Sequence, residues 1–187
     1  MTGSKVPRKN LMPKFTLVIG GARSGKSNFA EGLTSATNGP RRYIATAQAW
    51  DDEMHARIKQ HKAQRGKNWI TVEAPLDLAS ALAEAQKDEI VLVDCATLWL
   101  SNHLLAESDL ISQSTRLLAA IAACAAPVIV VSNEVGWSIV PDNALARAFR
   151  DAQGRLNQQM AAQADLVVAV MAGLPIVLKG DLPDVAT

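Results

Sequence analysis

Cysteine is almost missing from this chain. Two, Cys95 and Cys124, stand among 187 residues, each in or beside an apolar run. That is too few for a disulfide scaffold and fits buried thiols in a reducing compartment, so a cytoplasmic location is expected. Charge imbalance is missing too. The formal net charge is +1, which gives no global attraction to nucleic acid or anionic lipid; no nucleic-acid partner is expected, and any phosphate binding must be local. No apolar run reaches the ~20 residues that span a bilayer, so no stable membrane insertion is expected. Residues 1–14 are polar and basic, with two prolines and no apolar h-region. They read as a flexible tail, not as a secretory signal or a transit peptide. What the chain does have is apolar substance, 49% hydrophobic against 20% charged residues. That composition suits a globular domain with a real core. One domain is expected over residues 15–180, with a short C-terminal tail at 181–187.

Short apolar runs alternate with helical patterns along the chain. Strands are expected at Phe15–Ile19, Arg42–Thr46, Trp69–Glu73, Ile90–Asp94, Pro127–Ser132 and Leu166–Val170. Helices are expected from Lys26 to Thr34, Asp51 to Arg65, Leu76 to Lys87, Ser112 to Cys124 and Pro141 to Ala164. The polar stretch Ser101–Gln113 reads as a mobile loop. Ile176–Leu178, after the turn at Gly173-Leu174-Pro175, should pair back antiparallel at the sheet edge. Strands without polar alternation, separated by helices, indicate an α/β fold in three layers, with a mostly parallel sheet covered on both faces.

Between the first strand and the first helix stands Gly20-Gly21-Ala22-Arg23-Ser24-Gly25-Lys26-Ser27. This meets the pattern G-x-x-x-x-G-K-[ST] in the strand–turn–helix context that gives the pattern its mechanism. Glycines let the backbone turn tightly and aim several N–H groups at one phosphate, and the helix N-terminus adds partial positive charge. Lys26 is expected at the β- and γ-phosphates and Ser27 on Mg²⁺. Asp94 ends a buried apolar strand, the position from which a carboxylate holds Mg²⁺ directly or through water. The fold expectation sharpens to a P-loop NTPase of the RecA-like kind. A Gly-rich turn with an exposed lysine, and a helix-capping aspartate, are the plainer alternatives.

The helix expected over Asp51–Arg65 carries further chemistry. His61 lies four residues from both Arg57 and Arg65, so the three share a face. Flanking cations lower an imidazole's pKa and keep it neutral, which is its nucleophilic form, and the same arginines can neutralise a phosphate. A surface histidine on a solvated basic helix remains the alternative at this point. His55 and His103 are given no role.

The segments GGARSGKS (Gly20–Ser27), YIATAQ (Tyr43–Gln48), DDEMHARIKQHK (Asp51–Lys62), NEVG (Asn133–Gly136) and VPDNALARAFRDAQGRLNQ (Val140–Gln158) occur in that order. Together they resemble the bifunctional adenosylcobinamide kinase / adenosylcobinamide-phosphate guanylyltransferase family of cobalamin biosynthesis, from about Phe15 to Gly180. The resemblance implies two reactions. ATP or GTP phosphorylates the aminopropanol hydroxyl of adenosylcobinamide; GTP then gives GMP to that phosphate through a guanylyl-histidine, releasing pyrophosphate and leaving adenosylcobinamide-GDP. It implies that His61 is the histidine, that Ala45, Thr46 and Ala47 line the nucleotide, that Lys62, Ala63, Gln64 and Arg65 lie by its phosphates or ribose, and that Glu73 contacts it. Asp94 stands where some relatives have Glu. A homo-oligomer, a trimer, is implied as well. The N-K-x-D guanine motif is absent, so guanine must be recognised by other contacts. A monofunctional P-loop kinase of a small metabolite and a nucleotide-gated binding module are the competing functions. Asn133 and Glu134 should shape the site; Arg147, Arg150 and Arg155 either bind acceptor phosphate or a neighbouring subunit, or form a solvated helix face. Trp50 and Trp137 adjoin the site motifs, where either packing or covering a ring is open to them.

Overall fold

The computed structural model describes residues 12–35, 37, 39–47 and 69–183. The helix expected over Asp51–Arg65, and with it His61, lies outside the described residues, as do Lys62, Ala63, Gln64 and Arg65.

Seven strands form one sheet: β1 (Phe15–Gly20), β2 (Arg41–Ala45), β3 (Trp69–Glu73), β4 (Ile90–Asp94), β5 (Val128–Asn133), β6 (Leu166–Met171) and β7 (Leu174–Lys179). Their spatial order is β3-β2-β4-β5-β1-β6-β7. All neighbours pair parallel except β6 with β7, which pair antiparallel at the edge. The described helices are α1 (Lys26–Thr34), α2 (Leu78–Ala83), α3 (Ala96–Leu105), α4 (Leu110–Ala123) and α5 (Ala144–Gln163). The expected α/β fold is therefore present, with β5 inserted between β1 and β4 in the RecA-like manner.

The period-2 geometry of the strands divides the core. Leu17, Val91, Val93, Val128 and Val130 face α2–α5, where they meet Leu82, Trp99, Leu117, Ile121, Leu156 and Met160. Their neighbours in sequence, Val18, Leu92, Ile129 and Val131, face α1 through Ala30 and Leu33. A strand apolar at every position is thus buried on both faces, as parallel sheets require.

Three sequence expectations need correction. Ser101–Gln113 is not a mobile loop: α3 runs to Leu105 and α4 starts at Leu110. Two of the polar side chains that suggested solvent, Asn102 and His103, are buried and paired. Asn102 Nδ2 donates to the carbonyls of Thr46 and Pro75, both at 2.9 Å. The His103 ring bridges Ser108 Oγ (3.0 Å) and the Leu76 carbonyl (3.1 Å), edge-on to Trp99. The helix expected over Leu76–Lys87 is shorter, because Asp77 caps it at one end and Arg42 draws the Glu84 carbonyl away at the other. The last long helix begins at Ala144, capped by Asn143, and not at Pro141, whose carbonyl is taken by Arg147.

Arg42 and Glu89 form a buried two-pronged ion pair, with Nε–Oε2 at 2.8 Å and Nη2–Oε1 at 3.2 Å. The hydrogen bond from Arg42 holds the Glu89 carboxyl below its usual range, against the opposing effect of burial. Arg42→Met strands that carboxylate and should cost ~3–5 kcal/mol in urea unfolding, and Arg42→Met/Glu89→Leu should recover most of it. Because the folded pKa is depressed, the pair's contribution is complete above the ordinary glutamate range and fades as pH falls through the depressed value.

Candidate active site

The phosphate cradle is built by steric necessity. β1 ends at Gly20, where a Cβ would stand 2.5 Å from both Ser24 Oγ and the Val170 carbonyl oxygen. Gly25, the α1 N-cap, has φ 93°, in the left-handed region that glycine enters without strain. A side chain there would also press on Gly173 at 3.2 Å. Three backbone contacts fasten the loop: the Glu134 N–H donates to the Gly20 carbonyl (3.1 Å), the Ser24 N–H to Gly21 (3.3 Å) and the Gly173 N–H to Ser24 (2.8 Å). Gly21, Ala22 and Arg23 are exposed, and Ser24, Gly25, Lys26 and Ser27 half-buried.

Lys26 Nζ donates to the Gly21 carbonyl at 3.1 Å, across the mouth of the loop. Burial lowers its pKa, opposed by the negative charge of Asp94. Asp94 accepts a hydrogen bond from Tyr43 Oη at 3.1 Å. Sheet register brings the expected residues into one row along the C-terminal edge: Glu73 opposite Ala45, Ala45 opposite Asp94, Asp94 opposite Val131, and Asn133 opposite Gly20. Ligands of open α/β sheets bind at this edge. Ala47 follows, half-buried, just beyond β2.

The residues fit a magnesium–triphosphate. Ser24 Oγ is buried in the cradle without a hydrogen-bond partner. No cluster of three or more His, Cys, Asp or Glu gathers among the described residues; Ser27 and Asp94 would hold Mg²⁺ as one hydroxyl and one carboxylate beside substrate phosphates, the usual Mg²⁺ donor set. Thr46 lies in the row but presents no free hydroxyl. It is fully buried, its Oγ1 donating to the Cys95 carbonyl and accepting from the Cys95 N–H, both at 2.8 Å. Its position ties the end of β2 to the residue after Asp94.

Several supporting residues escaped the sequence patterns. Thr97 Oγ1 accepts from the Asn133 N–H at 2.7 Å, and Asn157 Nδ2 donates to the Asn133 carbonyl at 3.1 Å. Ser132, Gln153 and Asn157 complete a buried polar cluster beneath that strand end. Gln153 and Asn157 are four apart on α5, a spacing that marked a shared face without revealing that the face is buried. Asn133 and Glu134 do shape the edge, in part through their main chains. Of the arginines, Arg147 is bound to loop carbonyls and Arg150 to Asp151, while Arg155 is exposed.

Gly173 sits at φ 80° in the β6–β7 turn, with open space where a Cβ would go. Gly173→Val therefore strains the backbone without a clash, by ~1–2 kcal/mol, and should pull the turn from Ser24. Calorimetric titration with Mg²⁺–GTP should show about tenfold weaker binding for Gly173→Val. Gly173→Asn, which tolerates the left-handed region, should bind nearly as the parent does.

Comparison with known proteins agrees with this arrangement. The family described as cobinamide kinase / cobinamide phosphate guanyltransferase matches residues 16–178. The bifunctional adenosylcobalamin biosynthesis protein CobP of Pseudomonas aeruginosa is 44% identical over 168 residues, covering 88% of this chain and 97% of that protein. The bifunctional adenosylcobalamin biosynthesis protein CobU of Escherichia coli is 41% identical over 179 residues, covering 87% and 98%. A solved Pyrococcus horikoshii protein, 9% identical, superposes with a TM-score of 0.54 over 91% of this chain and 88% of its own; it shares the fold alone. With the family matched over nearly the whole described sheet and relatives above 40% identity along almost their full length, the chain belongs to the cobinamide kinase / cobinamide phosphate guanyltransferase family.

Proposed function

We propose that this bifunctional enzyme of cobalamin biosynthesis runs its two reactions with distinct groups: the Gly20–Ser27 cradle for phosphoryl transfer, and His61 for transfer of GMP. The observation that carries the first half is the cradle itself, fastened at Gly20 and Ser24 with an unpartnered buried Ser24 hydroxyl.

In the kinase reaction the cradle's N–H groups and Lys26 hold the β- and γ-phosphates of ATP or GTP. Mg²⁺, with Ser27 and Asp94 as its protein ligands, supplies charge neutralisation across those phosphates. The aminopropanol hydroxyl of adenosylcobinamide attacks the γ-phosphorus, the bond to the bridging oxygen breaks, and the nucleoside diphosphate leaves. Lys26 compensates charge on that bridging oxygen. Burial lowers the Lys26 pKa, and the Asp94 carboxylate opposes that shift.

In the second reaction a neutral His61 nitrogen attacks the α-phosphorus of GTP and pyrophosphate leaves. A phosphate oxygen of adenosylcobinamide phosphate then displaces the imidazole and takes the GMP. Arg57 and Arg65, four residues to either side in sequence, favour the neutral imidazole and offset phosphate charge. Lys62, Ala63, Gln64, Arg65, Ala45, Thr46, Ala47 and Glu73 belong to the nucleotide's surroundings in this scheme. The enzyme acts in the cytoplasm as a homo-oligomer, a trimer by resemblance to its family. Two free, buried cysteines support the reducing compartment, and no described helix is long and apolar enough to cross a membrane.

Incubation with α-labelled GTP tests the division of labour. The parent protein should acquire an acid-labile label, His61→Ala should acquire none, and His61→Ala should still phosphorylate adenosylcobinamide. Equal labelling of His61→Ala, or none in the parent, removes the guanylyl-histidine. Lys26→Ala should lower kinase turnover by about a hundredfold or more, the scale of losing a preorganised charge at a phosphoryl centre.

A further inference from the structure

Between β5 and the first turn of α5, on the ligand edge, the chain exposes four large apolar side chains. Trp137 is 80% exposed, Ile139 93%, Val140 61% and, just inside α5, Leu145 56%. Scattered apolar residues are normal on a surface, but exposed ones gathered in one short segment and led by an indole point to a binding site.

The loop that carries them is held at both ends. At its start, the Glu134 N–H is bonded to the Gly20 carbonyl of the phosphate cradle (3.1 Å), and Glu134 Oε1 accepts from the Gly136 N–H at 2.8 Å. At its end, Arg147 Nη1 donates to the carbonyls of Pro141 (2.9 Å) and Asp142 (2.7 Å), and Asn143 Oδ1 accepts from the Ala146 N–H at 2.7 Å. The apolar side chains are therefore presented by a fastened loop, which keeps the ordering cost of binding low.

Its place in the sheet says what it meets. β5 lies between β1, which ends in the cradle, and β4, which ends in Asp94. A hydroxyl that attacks the γ-phosphate approaches this edge, beside the loop that leaves β5. The acceptor of this family is a corrinoid, whose ring carries a rim of methyl groups along with its amide arms. Such a rim matches an indole and two branched aliphatic side chains. A purine could stack on the indole, but at its edge it would find only one side-chain donor, the Trp137 Nε1–H, since Ile139 and Val140 carry no polar side-chain group.

We propose that the Trp137–Val140 loop, with Leu145, is the docking surface for the corrin ring of the acceptor. The proposal rests on the cobinamide kinase reading of the same edge. The side chains serve affinity for the acceptor and take no part in holding the nucleotide.

The test compares the parent with Trp137→Ala, Trp137→Phe and Ile139→Ser, all at exposed positions where folding should survive; thermal unfolding checks that it does. Equilibrium dialysis with adenosylcobinamide alone should show binding weakened about tenfold in Trp137→Ala and Ile139→Ser, with Trp137→Phe close to the parent. The KM for adenosylcobinamide should rise in parallel, while the KM for the triphosphate and labelling by α-labelled GTP stay within about twofold. Unchanged acceptor binding overturns the proposal. A raised KM for the triphosphate in place of the acceptor also overturns it, making the loop a nucleobase wall. So does a smaller assembly in sedimentation with acceptor binding intact, which would assign the surface to a second copy of the chain. Dialysis needs no turnover, so a parent that binds adenosylcobinamide without phosphorylating it would defeat the kinase reading while leaving the docking surface standing.

Discussion

Two atoms set the terms for the rest of this molecule: the Val170 carbonyl oxygen and Ser24 Oγ, each 2.5 Å from where a Cβ on Gly20 would be. They allow β1 to turn into α1 with the phosphate loop pressed onto the end of β6. The Gly173 N–H then reaches the Ser24 carbonyl, and Gly25 can adopt its left-handed cap beside Gly173. The antiparallel hairpin at the sheet edge thus helps to hold the Gly20–Ser27 loop, although every residue of β7 is exposed.

A second layer of polar contacts fixes the other strand ends around that loop. Thr46 links the end of β2 to Cys95, Asn102 ties Thr46 to Pro75 beyond β3, and Thr97 with Asn157 holds both main-chain groups of Asn133 at the end of β5. Thr46 follows β2, while Thr97 and Asn102 come from α3 and Asn157 from α5, helices that pack beneath the sheet. Buried polar groups of this kind are costly unless satisfied. Satisfied here, they fix the spacing between Asp94, Ala45 and Gly20 while leaving the edge free for substrates.

The sequence announced the central strands because β1, β4, β5 and β6 are largely apolar on both faces, and the cradle because its glycines have no alternative. Asp94 was legible as a carboxylate closing the wholly apolar run Ile90–Val93. The buried polar layer was not. Asn102 and His103 look like surface residues until the carbonyls of Thr46, Pro75 and Leu76 are known to face them, and those partners lie up to 56 positions away. Thr46 was expected among nucleotide-lining residues and proves to be committed to Cys95. Trp137 ran the other way: packing was open to it, and it is exposed. His61 drew its significance from sequence spacing and resemblance, and continues to do so.

The neighbours of β1 in the sheet have a consequence for how the protein is made. Phe15 pairs with Val128 and Thr16 with Leu166, so the strand that leads into the phosphate loop is synthesised more than a hundred residues before either of its partners. Such long-range pairing makes folding slow, and during translation the glycine-rich turn has nothing to press against until β6 has left the ribosome. Competence to hold a nucleotide is therefore among the last properties the growing chain acquires.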